Sequence, residues 1–190
     1  MSLAGKSLQY RASTNTGVPS GANLFELPSV KVPAHSYFLV KGSGGSNGVE
    51  IPKSPDAFSS LAMGGGAGQV YLADSAAGVQ PVTGGASVAA GGTVDYSAGK
   101  VIDFFGYGSG TTSYETAFKS GTITTAGSYK RAAVPTDTDN NNTDFTISPV
   151  SPGPDNCDCV APTLKITEVY TEGGASGAAY ANDYVEIHNP

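Results

Sequence analysis

Punctuation constrains this chain more than any other sequence feature. Its 190 residues include 26 glycines and 12 prolines, and no long segment keeps the apolar spacing of a helix. Between the breaks lie short runs rich in β-branched and aromatic residues, the pattern of strands joined by tight turns. Residues 7–11 (Ser-Leu-Gln-Tyr-Arg) alternate, and residues 36–40 (Ser-Tyr-Phe-Leu-Val) and 69–73 (Gln-Val-Tyr-Leu-Ala) are dense β-formers. Residues 101–107 (Val-Ile-Asp-Phe-Phe-Gly-Tyr) are expected to form the most buried strand. Shorter runs lie at 128–131 and 144–147, and clear ones at 164–170 and 183–187. Gly42 to Gly48 reads as a loop, Gly64-Gly65-Gly66 as a turn, and residues 84–92 as a weak hairpin. Residues 58–63 and 114–119 each suggest a single helical turn. About nine strands with such turns predict an all-β fold, an immunoglobulin-like β-sandwich.

Composition narrows the function. Glycine and proline this frequent invite a disordered reading, but the apolar runs recur too compactly for it. The net charge of −6 repels phosphate backbones, so nucleic acid is not an expected partner. Lys130-Arg131 is the one adjacent basic pair and reads as a solvated strand end. No apolar run approaches the roughly 20 residues that span a bilayer. Met1-Ser2-Leu3 lacks the character of an export signal, so the chain is expected to be an internal piece of a longer protein. Cys157 and Cys159 are too close for an unstrained bridge. Zinc would need further ligands, and His35 and His188 are distant in sequence, so the cysteines read as linker thiols.

Residues 148–163 differ from the rest. They open Ser-Pro-Val-Ser-Pro-Gly-Pro, a stiff segment unsuited to a central strand. The expected organisation is therefore a sandwich over 1–147, a Pro/Cys linker over 148–163, and a new strand-rich unit over 164–190.

That last unit carries a resemblance. Lys-Ile-Thr-Glu-Val-Tyr at 165–170, the glycines that follow, and Asn-Asp-Tyr-Val-Glu-Ile-His-Asn-Pro at 182–190 resemble the opening of a bacterial lamin-tail domain. The family continues with a third strand of the kind found here at the other end, Leu-Ala-Gly-Lys-Ser-Leu-Gln-Tyr at 3–10. Residues 32–40, 101–108, 129–131 and 137–145 resemble its later strands and closing motifs. Lys6 departs from the pattern, since bacterial members often carry Trp there. The resemblance implies an immunoglobulin-like sandwich whose first two strands have been moved to the end of the chain. Residues 1–147 would lack those strands, and residues 164–190 would be the first two of a following copy. The tail is then expected to fold back onto its own chain, or to complete a neighbouring molecule by strand exchange.

Candidate chemistry is sparse. Asp137, Asp139, Asn141 and Asp144 place oxygen side chains at near-alternate positions, as calcium loops do, and calcium is the one cofactor considered. The loop lacks the glycine and the distal glutamate of an EF-hand, and an Asx-rich turn is the other reading. Glu168 and Glu186 suggest an acid/base pair, or simply two half-exposed strands. Gly44-Gly45-Ser46-Asn47-Gly48 matches the letters of a nucleophile elbow, but Pro52 and Pro55 oppose the helix that an elbow needs. Tyr10, Tyr96, Tyr107, Tyr114 and Tyr180 suggest an aromatic platform or core-edge residues. The reading that follows is a non-catalytic binding or spacing module of a secreted or cell-surface bacterial protein. Its partner would be a protein or an extracellular polymer. An accessory domain of an extracellular nuclease or phosphatase is the second reading, and a DNA-binding module the third.

Overall fold

The computed structural model describes residues 1–81, 94, 96, 100–132, 137–152 and 164–189. In it the expected runs become strands β1 (Ser7–Ala12), β2 (Leu24–Glu26), β3 (Ser36–Gly44), β4 (Ala57–Phe58) and β5 (Gly68–Ala73). They continue as β6 (Val101–Tyr107), β7 (Gly127–Arg131), β8 (Phe145–Pro149), β9 (Lys165–Tyr170) and β10 (Asn182–Asn189). One helical turn, α1 (Asn141–Asp144), precedes β8. The strands form two sheets, β2-β1-β5-β6 and β4-β3-β10-β9-β7-β8. This is the all-β, immunoglobulin-like sandwich that the turn spacing predicts.

Side-chain alternation builds the core. Leu8, Tyr10, Val70, Leu72, Phe105 and Tyr107 of the smaller sheet meet Phe38, Val40, Tyr129, Val169, Val185 and Ile187 of the larger one in a single cluster. Phe105 lies at its centre, with ring centroids 4.1 Å from Phe145 and 5.3 Å from Tyr129. The opposite faces are covered too. Tyr71 and Phe104 anchor a second cluster behind the smaller sheet, and Leu39, Tyr170 and Tyr184 a third behind the larger one. Strands buried on both faces explain why residues 101–107 read as an almost unbroken apolar run.

Several local expectations are corrected. β3 runs through Gly44 instead of stopping at Val40. Its glycines permit this: a Cβ on Gly42 would lie 2.8 Å from the Leu61 carbonyl, and one on Gly44 only 2.2 Å from that of Ala181. Glycine here serves close strand approach and not a free loop. Neither 58–63 nor 114–119 is helical; among the described residues a 3-10 turn lies at Gly21–Asn23 and an α-helical turn at Asn141–Asp144, where the Asn140 side chain accepts from Asn142 N and caps it. The short β2 and β4 carry too few residues to register as strands in the sequence. The suggested hairpin at 84–92 lies outside the described residues, as do Cys157 and Cys159.

The last two strands take a central place. β10 pairs with β3 and β9 with β7, so residues 165–189 sit between the two halves of the six-stranded sheet. β8 and β9 both run antiparallel to β7 and are therefore parallel to each other. Tyr129 is opposite Ile147 on one side and Val169 on the other, which sets those two residues level. The chain leaving Pro149 must thus return about 20 Å along the strand direction, and cross β7, to begin β9. The connection, residues 150–164, spans up to about 50 Å, enough to close within one chain.

Deleting residues 153–161 leaves a reach of roughly 20 Å, with no slack to pass over β7. The variant is expected to exchange β9–β10 with a second copy and to run as a dimer in light scattering while keeping its β-type circular dichroism. A monomer as stable as the parent chain would refute this account of the crossover.

Candidate functional site

Polar groups gather in several places among the described residues, and two of them bear on function. The first is a buried ion cluster between the sheets. Asp103 on β6 points inward on the same face as Phe105 and meets Arg131 on β7. Arg131 Nη2 donates to both carboxylate oxygens at 3.0 and 3.2 Å, and its Nε donates to the Ile166 carbonyl at 3.0 Å. The Ile166 N–H donates to Asp103 at 2.5 Å. Lys165 lies 3.7 Å from Asp103 and donates to Asp137. Arg131 Nη1 lies 3.7 Å from Asp137 and 3.8 Å from Asp144, and the guanidinium stacks 4.5 Å above the Phe145 ring. Arg131 is 1% exposed, so the expected solvated strand end is in fact an interior charge. The reason is Asp103 on the facing sheet, a partner that local sequence does not reveal.

The electrostatics follow from burial and pairing. Burial opposes the Arg131 cation, but Asp103 and Asp137 outweigh it and raise its pKa. Burial likewise opposes the Lys165 ammonium, and Asp103 and Asp137 again hold it charged. Burial also works against the Asp137 carboxylate, yet Lys165 and Arg131 bring its pKa down. Two carboxyls go the other way. Burial raises Asp103 above its ordinary range, although Arg131 and Lys165 oppose it. Burial, then the nearby Asp137, push Glu115 up to about 8, so it is mainly protonated at neutral pH.

The four residues expected to ligate calcium are spread around this cluster. Asn141 is turned inward, where its Nδ2 donates to the Phe104 carbonyl (2.9 Å) and to the Glu115 carboxyl (2.7 Å). Its Oδ1 accepts from Gly106 N (2.9 Å) and Glu115 N (3.0 Å). Asp144 accepts from the Thr138 N–H and hydroxyl and from Asn140 N, as an Asx-rich turn does. Asp137 faces Lys165, and Asp139 is exposed in a left-handed conformation with φ 52°. The structure instead brings Asp137 together with Asp103 and Glu115, with carboxylate oxygens within 4.8 Å of one another. Arg131 and Lys165 pair with Asp103 and Asp137 in the same space, and Glu115 is mainly protonated there.

Glu168 and Glu186 are directly opposed across β9 and β10 and are fully buried, not half-exposed. Glu168 accepts from Ser128 Oγ, from Tyr184 Oη at 2.5 Å and from Ser151 N, and Glu186 accepts from Thr167 Oγ1. Burial and then Glu168 push the Tyr184 hydroxyl up. His188 is buried against Tyr37, and His35 is exposed. Residues 49–56, after the Gly44–Gly48 motif, form no helix. Of the five tyrosines, Tyr10, Tyr107 and Tyr114 are buried, Tyr180 is half-buried, and Tyr96 is exposed and donates to Glu115.

The second place is an open cleft of about 350 Å³ at one end of the larger sheet. Its walls are the end of β3 (Ser43, Gly44, Gly45), the segment before β5 (Ala62, Met63) and the β9–β10 loop from Thr171 to Ala175, with Asp183 of β10. Backbones meet closely here: a Cβ on Gly174 would lie 2.1 Å from Gly45 N. Asp183 accepts from Met63 N at 2.8 Å and from Gly173 N at 2.9 Å. Burial, and to a lesser degree Glu172, bring its pKa to about 6, net of those two bonds. Sequence reading passed over Thr171, Glu172 and Asp183 because single polar residues near glycines resemble any turn.

No family model matches the chain, and neither does any curated protein or any solved structure. The functional reading therefore rests on geometry and sequence.

Two outcomes test the ion cluster. Arg131→Met removes the guanidinium whose Nη2 both Asp103 oxygens share, and should cost about 3–5 kcal/mol in urea unfolding, the usual cost of breaking a buried pair. Glu115 holds a proton in the fold that the unfolded chain releases near pH 4.5. Its contribution is therefore complete below about pH 4.5 and lost as pH rises through about 8, with a slope of up to about 1.4 kcal/mol per pH unit. Glu115→Gln should flatten that part of the stability profile. An unchanged slope would show that the group does not titrate as described.

Proposed function

We propose that this chain is a non-catalytic, immunoglobulin-like binding or spacing module of a larger secreted or cell-surface bacterial protein, akin to a lamin-tail domain. The observation that carries this reading is the place of residues 165–189. The segment that resembles the family's first two strands lies inside the same sandwich as the segments that resemble its later ones, between β3 and β7. A cyclically offset copy would need its strands there.

The chemistry of the interior supports the same reading. Asp103, Arg131 and Lys165 join the two sheets, and Asn141 joins β6 to the Glu115 loop and α1. These groups hold the frame. The open cleft, by contrast, is formed from strand ends and loops on a rigid scaffold, where binding residues are commonly placed. Partner chemistry would then be set by loops, with the sandwich as spacer.

The test is direct. The purified chain, supplied in turn with magnesium, manganese, calcium or zinc, should hydrolyse neither double-stranded DNA nor p-nitrophenyl phosphate. It should also pass through a DNA column at low salt. Turnover that Asp103→Asn or Glu115→Gln abolishes while the fold survives would overturn the reading in favour of a hydrolase.

A further inference from the structure

The ion cluster puts an amine, a carboxyl group and two proton carriers side by side. Lys165 Nζ, at the start of β9, is in contact with Asp137 Oδ2, and both side chains are largely buried. The other Asp137 oxygen, Oδ1, accepts from Asp139 N at 3.3 Å and has Arg131 Nη1 3.7 Å away. That nitrogen is an independent feature. Arg131 is 1% exposed, and its Nη1 is buried with no hydrogen-bond partner among the described residues. Asp103 and Glu115 complete the group, each with a carboxyl oxygen within 4.8 Å of one on Asp137. Asp103 is also 3.7 Å from Lys165 Nζ, and the Asn141 amide holds Glu115 Oε2 at 2.7 Å. A simple ion pair needs only the first of these contacts. It leaves the idle Arg131 nitrogen and the neighbouring Glu115 without a role.

We propose that Lys165 and Asp137 condense into an intramolecular amide, with Asp103 and Glu115 carrying the protons and Arg131 Nη1 stabilising the oxyanion. Lys165 passes one ammonium proton to Asp103, and Glu115 gives its own to Asp137 Oδ2. The Nζ lone pair then forms a bond to Asp137 Cγ, and negative charge moves to Oδ1, beside Arg131 Nη1 and Asp139 N. A second proton leaves the nitrogen and reaches Oδ2 through the ionised Glu115, and the Cγ–Oδ2 bond breaks to release water. Asp103 finally returns its proton to Glu115. One ammonium and one carboxylate become one amide and one water, and nothing is oxidised or reduced. Burial keeps the proton on Glu115 and raises Asp103, so both suit proton transfer. Lys165 is held charged and Asp137 ionised, so the structure shows the pair before condensation. Contact gives the two groups an effective concentration of about 10⁵–10⁸ M once they are aligned. Removing two charges from a poorly hydrated interior favours the neutral amide. The bond would close a ring across the crossover that brings in β9, and so tie that strand covalently into the sheet. It is a single self-modification without turnover, and it stands independently of the reading of the chain as a binding or spacing module.

Intact-mass spectrometry of the full chain, reduced and denatured, tests the proposal. The expected mass is one water below that of the sequence. No lysine or arginine lies between Arg131 and Lys165 or beyond Lys165, so trypsin should leave residues 132–190 as one peptide, uncut at Lys165. A further cut after Phe145 should leave Asp137 and Lys165 on fragments that remain joined. Lys165→Arg keeps the cation and Asp137→Ala removes the acceptor; both should abolish the mass deficit, with circular dichroism reporting that the fold is retained. Glu115→Gln should slow the reaction by about 10²-fold or more, leaving the fresh chain mainly at full mass. The unaltered, folded chain decides first: full sequence mass after prolonged incubation would overturn the proposal. So would a deficit that survives Lys165→Arg, a fragment joined through Asp103 instead of Asp137, or Glu115→Gln reacting at the parent rate.

Discussion

The larger sheet depends on its last two strands. β3 and β7 have no contact as neighbours; β10 and β9 lie between them and supply the hydrogen bonds on both sides. Without residues 165–189 the sheet would divide into β4-β3 and β7-β8, and each half would expose a long open edge. The core would open with it, since Ile166, Val169, Val185 and Ile187 form much of the wall that faces Phe105 and Tyr107. Strand order thus links the two ends of the chain: β10, near the C-terminus, holds β3, and the β8–β9 crossover must be long enough to let it.

The ion cluster is fastened to the same place. Asp103 belongs to the smaller sheet, and its partners Arg131, Lys165 and Ile166 N all belong to the larger one, two of them on β9. A buried charged group adds little net stability when paired and much instability when orphaned. Its effect is therefore selective. It penalises any arrangement in which β6, β7 and β9 fail to meet, and so favours one register of sheet on sheet. Asn141 extends the same logic to α1, where one amide satisfies backbone groups of Phe104, Gly106 and Glu115. The cleft, at the far end of β9 and β10, lies on loops that this frame holds apart.

Much of the fold was legible in the sequence, because strands and turns are local. Residues 101–107, 69–73 and 164–170 announce themselves by β-branched and aromatic content, and their observed bounds differ by a residue or so. Function was less legible, because polar residues take their meaning from partners far away in the chain. The stretch Asp137 to Asp144 has the oxygen spacing of a cation loop, but Asn141 spends its amide on groups 26 to 37 residues away. Lys130-Arg131 looks like surface until Asp103 is placed opposite. Glu168 and Glu186 look half-exposed until both faces of the larger sheet prove to be covered.

The sequence by itself determined an all-β chain of short strands, since its breakers and its period-two runs leave no room for long helices. It also marked the last 27 residues as strand-rich and set apart by a proline-rich segment. Only the tertiary structure decided that those strands enter the middle of a sheet, that Arg131 is interior, and that Thr171, Glu172 and Asp183 share a cleft. The physical reason is range. Backbone preference acts over a few residues, whereas burial and charge pairing depend on which distant segments the two sheets bring face to face.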